Sequence, residues 1–152
     1  MINIKSNSFN EGSSIPKKFT CDNINISPQL QWDSIPDDTR SLAILCEDPD
    51  APSGLFTHWI IFNIPPEVNE LPENIEKKEK LKNGAIQGTT THGSSGYGGP
   101  CPPQGPAHRY FFRIYAIDTL LDLDASAGRQ ELLDALKGHV LDEGALIGKY
   151  RG

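Results

Sequence analysis

A set of short apolar runs, rich in β-branched and aromatic residues and cut off by proline-dense turn chemistry, constrains this chain most. Residues 41–46 (SLAILC) run towards the turn Asp48-Pro49-Asp50-Ala51-Pro52. Residues 57–64 (THWIIFNI) close on Pro65-Pro66, and 108–117 (HRYFFRIYAI) are the clearest of the three. Such runs suit pleated strands, and proline at their ends cannot continue a ladder. Residues 2–4 and 30–32 give weaker strand signals. One helical pattern stands out over 129–141 (RQELLDALKGHVL), where Leu132, Leu133, Leu136 and Val140 share a face and Gly138 weakens the second half. The strand–helix alternation of a parallel sheet is missing. The pattern predicts an all-β fold with a few short helices, an antiparallel two-sheet β-sandwich. With 152 residues and no repeat or linker, the chain reads as a single domain over 1–152.

Charge narrows the function classes. The 20 acidic against 14 basic residues give a net charge of −6. Nucleic-acid and polybasic membrane-surface proteins normally carry the opposite sign, so neither partner is expected. The longest apolar stretch, Trp59-Ile60-Ile61-Phe62, is far short of the roughly 20 residues of a membrane span. The N-terminus lacks the apolar core of a signal peptide, so a cytoplasmic location is expected. The three cysteines, Cys21, Cys46 and Cys101, are odd in number and show no metal-like spacing. They read as small buried or half-buried thiols, and no metal site or disulfide is expected. Residues 84–105 concentrate glycine and proline and read as a long functional loop or an insert.

Strand phase points to a site. Residues i and i+2 of a strand share a face. Leu42, Ile44 and Cys46 share one, and Asp48 is next in phase. Ile60, Phe62 and Ile64 share another, led by His58. Tyr110, Phe112, Ile114 and Ala116 share a third, led by His108. Each run thus carries an ionisable residue at one end of its apolar face. A lone histidine there is more often a satisfied core residue; three strands ending alike predict a polar pocket at one end of the core.

Asp48, His58, His108 and Tyr110 admit three chemistries. Zinc ligation is weakly signalled, because the ligands are far apart in sequence. Hydrolysis with Ser53, Ser94 or Ser95 is arithmetically open, but no Gly-x-Ser-x-Gly elbow is present. An anion pocket fits imidazolium and phenol donors, with backbone N–H groups of the loop at 96–99 as further donors.

At these positions the sequence resembles a known family. Asp48-Pro49-Asp50-Ala51-Pro52, Thr57-His58-Trp59, Gly99-Pro100-Cys101-Pro102-Pro103 and His108-Arg109-Tyr110 are similar to motifs of the phosphatidylethanolamine-binding proteins, in particular the prokaryotic Raf-kinase-inhibitor-like branch. Thr20-Cys21-Asp22, Ile26-Ser27-Pro28 and Gly148-Lys149-Tyr150 extend the resemblance over nearly the whole chain. It implies a β-sandwich whose end pocket binds phosphate, acetate or a phosphoethanolamine headgroup. By motif position that pocket comprises Asp48, His58, His108 and Tyr110, with Gly99, Pro102 and Pro103 as wall. The resemblance also implies a cis Ala51–Pro52 bond. Two departures stand out: Thr90-Thr91-His92 replaces an Asn-Asp-Phe stretch, and Asn23, which tolerates a left-handed backbone, replaces a glycine.

The resulting expectation is a non-enzymatic binding protein without cofactor, recognising a small anion or phosphorylated group. His58 and His108 donate to the anion, Tyr110 donates or shapes the wall, and Asp48 orients a histidine or meets a ligand amine. Arg109 is expected to tie loops together through Asp50. The alternative is an inhibitor or regulator of a partner kinase or protease; a hydrolase ranks last. A homodimer covering an open pocket is compatible with the resemblance. His92 is expected to face solvent, His139 to cap helical carbonyls, 76–82 (EKKEKLK) to be a solvated stretch, and Trp32 and Trp59 to fill core or interface.

Overall fold

In a computed structural model describing residues 1–152, the three strong runs become the centre of one sheet. They are β3 (Ser41–Asp48), β4 (Phe56–Ile64) and β7 (His108–Ile117). Two further antiparallel strands flank them, β6 (Ile86–Gln87) beside β4 and β8 (Val140–Tyr150) beside β7, giving the order β6-β4-β3-β7-β8. The weak signals near the N-terminus become β1 (Asn3–Lys5) and β2 (Leu30–Asp33). With β5 (Glu70–Leu71) they form a three-stranded antiparallel sheet.

The larger sheet buries both faces, which explains why β3 is buried throughout and apolar without a break from Leu42 to Cys46. One face carries Leu42, Ile44 and Cys46 with Phe112 and Ile114, packed on Ile4, Leu30 and Trp32 of the small sheet. The other carries Ala43, Leu45, Ile60 and Phe62, packed on Leu132 and Leu136 of α1 (Arg129–Leu136). Each large aliphatic or aromatic side chain fully buried there contributes about 1.5–3 kcal/mol. Both tryptophans are core filler with satisfied indoles: Trp32 donates to the Val68 carbonyl and Trp59 to Gln87 Oε1.

Four expectations are corrected by this architecture. The helix is shorter than 129–141, because Gly138 turns left-handed at φ 80° and the chain leaves as β8. Residues 140–150 gave no strand signal, since Gly144 and Gly148 interrupt the pattern. A side chain at Gly144 would collide with the Ile2 carbonyl, and one at Gly148 with Ile15 and Phe9. Backbone approach, not turn formation, therefore selects these glycines. Ala51–Pro52 is trans, like every other peptide bond; the turn closes in that form through Gly54 N–H donating to the Ala51 carbonyl at 3.0 Å. The left-handed residue of the early loop is Asn25, at φ 61°, rather than Asn23.

The cysteine reading also fails for two of the three. Cys21 and Cys101 form a disulfide across 80 residues, and Cys46 alone is a buried thiol. The spacing concealed it because the fold, not local sequence, places these Cα atoms 5.3 Å apart.

Candidate functional site

The ends of β3, β4 and β7 meet around a cavity of about 340 Å³. Asp48, His58, His108 and Tyr110 all line it and all are buried, with Pro102 and Pro103 on its wall. Simple alternation accounts for Asp48, His108 and Tyr110, but not for His58. By phase His58 belongs with Ile60 and Phe62, which face α1. The pairing shifts register at this point: Cys46 opposes Trp59, yet Glu47 opposes Thr57. His58 is the extra residue of a β-bulge, and a bulge re-aims a side chain. A second register shift, between Leu42 and Ile44, does the same for Ile64, which joins the inter-sheet core.

Two hydrogen bonds set the histidine tautomers. His108 Nδ1 lies 2.7 Å from Asp48 Oδ2, and His58 Nδ1 lies 2.7 Å from the Gly98 carbonyl. Both acceptors lack a proton to give, so Nδ1–H donates in each ring and Nε2 is left as the free nitrogen. Burial lowers the His58 pKa to about 4, against the raising effect of the Gly98 carbonyl, so its ring is neutral in the unliganded protein at neutral pH. Burial, and then the neighbouring Asp48 charge, pushes the Tyr110 phenol upward, keeping it protonated as a donor. Asp48 Oδ1 accepts from Asp50 N–H at 2.7 Å, so both of its oxygens have protein partners.

Arg109 ties the loops together through Asp50, as the sequence suggested. Its Nε and Nη2 donate to the two carboxylate oxygens at 2.9 Å, and its backbone N–H adds a third bond. The Arg109 side-chain hydrogen bond lowers the Asp50 pKa to about 2.

Gly99 is not part of the wall. It is buried behind the pocket, its N–H donates to Asn25 Oδ1 at 2.8 Å, and a side chain there would collide with the Phe19 carbonyl. A second expected donor of the loop at 96–99 is likewise engaged: Gly98 N–H bonds the His58 carbonyl at 3.0 Å. That loop serves the site through a carbonyl acceptor, not through anion-facing amides.

Sequence reasoning missed Phe56 and the place of His92 in the site; both line the cavity, as does Ser53, which the sequence offered only as a candidate nucleophile. His92 is exposed, yet its ring packs edge-on to Phe56 at 4.9 Å and lies 6.1 Å from the His58 ring. The Thr90-Thr91-His92 departure explains its place. Thr91 bonds Thr57 through both its N–H and its Oγ1, which holds the loop against the start of β4. Phe56 precedes the recognised run by one residue, and its apolar signal was the available clue. His139 does not cap carbonyls with its side chain; Nδ1 pairs with Asp118 at 2.8 Å. No three His, Cys, Asp or Glu side chains converge closely enough to hold a metal ion.

Residues 5–151 match the family model described as Phosphatidylethanolamine-binding protein. The chain belongs to the phosphatidylethanolamine-binding protein family. Among curated relatives of this family member, a UPF0098 protein of Methanothermobacter thermautotrophicus is 52% identical over 99% of both chains. One from Archaeoglobus fulgidus is 51% identical over 98% of this chain, which spans half of that longer protein. Two solved structures share the phosphatidylethanolamine-binding protein fold at full length. The Chlamydia trachomatis homologue CT736, titled a putative phosphatidylethanolamine-binding protein, has a TM-score of 0.91 and 36% identity, covering 99% of this chain and 97% of its own. Escherichia coli YbcL has a TM-score of 0.93 and 30% identity, covering 99% and 98%. The two-sheet architecture expected from the sequence is therefore the family's, and the chain is a member of a ligand-binding family.

Proposed function

We propose that this protein is a non-enzymatic receptor for a small oxyanion, phosphate or a phosphorylated group, bound between His58 and His108. One observation carries the reading: both rings line one cavity with Nδ1 held by a protein acceptor at 2.7 Å and Nε2 free. A protonated Nε2–H makes a charge-assisted bond to an oxyanion, and Tyr110 adds a neutral donor. Asp48 orients His108 and balances the charge that forms on it. Phe56, Pro102 and Pro103 give the apolar walls typical of small-ligand sites.

Binding rather than turnover is supported by what the imidazoles touch. Ser53 lines the cavity, but the histidine Nδ1 partners are a carboxylate and a carbonyl, and no nucleophile–base hydrogen bond is formed. No helix is long and apolar enough to cross a membrane.

The test is an NMR titration of the four histidine rings with orthophosphate and with phosphoethanolamine. Saturable shifts of His58 and His108, lost in His108→Ala, support the pocket. Shifts confined to His139, or none, reject it.

A further inference from the structure

We propose that the Cys21–Cys101 disulfide is a redox latch on the wall of this pocket, closed for anion binding and opened by reduction. The inference rests on the anion-pocket reading and adds how that site is regulated.

Cys101 itself lines the cavity, immediately before Pro102 and Pro103. The chain on either side of this wall is firmly held. Upstream, Tyr97 hydroxyl donates to the Phe19 carbonyl, Gly99 N–H to Asn25 Oδ1 and Cys21 N–H to the Pro100 carbonyl. Downstream, His108 opens β7 and Arg109 is bonded three times to Asp50. Between these anchors, residues 101–107 make no hydrogen bond to the rest of the protein, and four of the seven are proline or glycine: Pro102, Pro103, Gly105 and Pro106. The covalent bond to Cys21 is the one directional tether of that segment. Segments with few bonds are the ones that open locally at low free-energy cost.

The groups that would address the anion do not depend on the latch. His58 is held by the Gly98 carbonyl and His108 by Asp48, and neither bond involves Cys21 or residues 101–107. Reduction therefore loosens one wall without dismantling the donors. A ligand must then order residues 101–107 on binding, which costs affinity. Both cysteines are exposed residues, so a small dithiol reaches the bond. The step is a two-electron exchange: the dithiol's thiolate attacks one sulfur, its second thiol resolves the mixed disulfide, and the products are Cys21 and Cys101 thiols and the oxidised dithiol.

Calorimetric titration of orthophosphate into the full-length protein tests the latch, before and after reduction with dithiothreitol, with circular dichroism monitoring the fold. The expected result is a folded reduced protein that binds phosphate about tenfold more weakly, the equivalent of ordering one short segment. Reoxidation restores the affinity, and the Cys21→Ser/Cys101→Ser double variant matches the reduced protein. Amide shifts on reduction concentrate in residues near Cys21 and in 101–107. Equal affinity in both redox states overturns the latch and leaves the pocket standing. Global unfolding on reduction overturns it too, because the bond would then hold the fold rather than the wall. Absence of phosphate binding in the oxidised protein overturns the pocket reading and the latch together. The dithiothreitol arms use the natural chain, so they decide the matter even where the double variant does not fold.

Discussion

Asp48 Oδ2 lies 2.7 Å from His108 Nδ1, joining the last residue of β3 to the first of β7. The pair is buried at the floor of the cavity and holds an imidazole in the orientation that exposes Nε2. The two strands are hydrogen-bonded neighbours, so the geometry is set by the ladder rather than by a flexible loop.

Replacing His108 by alanine removes one charge-assisted donor. Such bonds contribute about 1.5–3 kcal/mol, so phosphate affinity should fall by at least about tenfold. Calorimetry on the folded variant measures this. An unchanged dissociation constant would show that the anion sits elsewhere.

Binding and stability should depend on pH through His58, whose folded-state pKa is about 4. An anion that bonds the protonated ring raises that pKa, so binding takes up a proton. Affinity then falls as pH rises above about 4, by up to tenfold per pH unit until the bound-state pKa is passed. Stability of the free protein has the opposite trend. The unfolded chain binds the proton near pH 6.5 and the folded one does not, so stability is lost as pH drops from about 6.5 towards 4. The full effect is about 3 kcal/mol, since the ring is buried. Urea unfolding of the wild type and of His58→Gln at the two ends of this range checks the sign: the wild type should lose more.

Gly98→Ala and Gly99→Ala should part company. A Cβ at Gly98 would stand 2.6 Å from His92 Cδ2, and His92 is exposed and free to swing away. The expected result is a shifted His92 ring resonance with little change in melting temperature. A Cβ at Gly99 meets the Phe19 carbonyl, which is backbone and cannot yield, so about 1–3 kcal/mol of stability should be lost. Chemical denaturation of the two variants side by side distinguishes them.

Glu47→Ala should weaken the fold and leave the pocket alone. Glu47 is buried and bridges Arg113 Nε at 2.9 Å and Arg129 Nε at 2.6 Å, tying α1 to the sheet on the face away from the inter-sheet core. Its loss leaves two arginines without their acceptor; because both are about one-third exposed, the expected cost is about 2 kcal/mol, below that of a fully buried pair. Phosphate affinity measured well below the melting temperature should not change.

Much of this site was legible in the amino-acid sequence because strand phase is a local property. Asp48, Tyr110 and His108 follow from alternation along runs whose apolar character is unmistakable, and the strand at His108–Ile117 has the bounds the sequence suggested. Arg109 beside a turn aspartate was legible for the same reason. His58 was found, but its place in the pocket depends on a bulge that alternation does not contain. His92 gave no signal, because its approach to Phe56 is made by Thr91 pairing with Thr57 across 34 residues.

Periodicity and turn chemistry thus determined the all-β class, the three central strands and the polar ends of their apolar faces, since each depends on neighbours within a few residues. Tertiary structure alone decided the rest. It paired Cys21 with Cys101, turned residues 140–150 into an edge strand, and engaged the Gly98 and Gly99 amides with the His58 carbonyl and Asn25. In each case the deciding contact joins groups distant in sequence. Only the packed fold specifies which carbonyl or sulfur comes within reach.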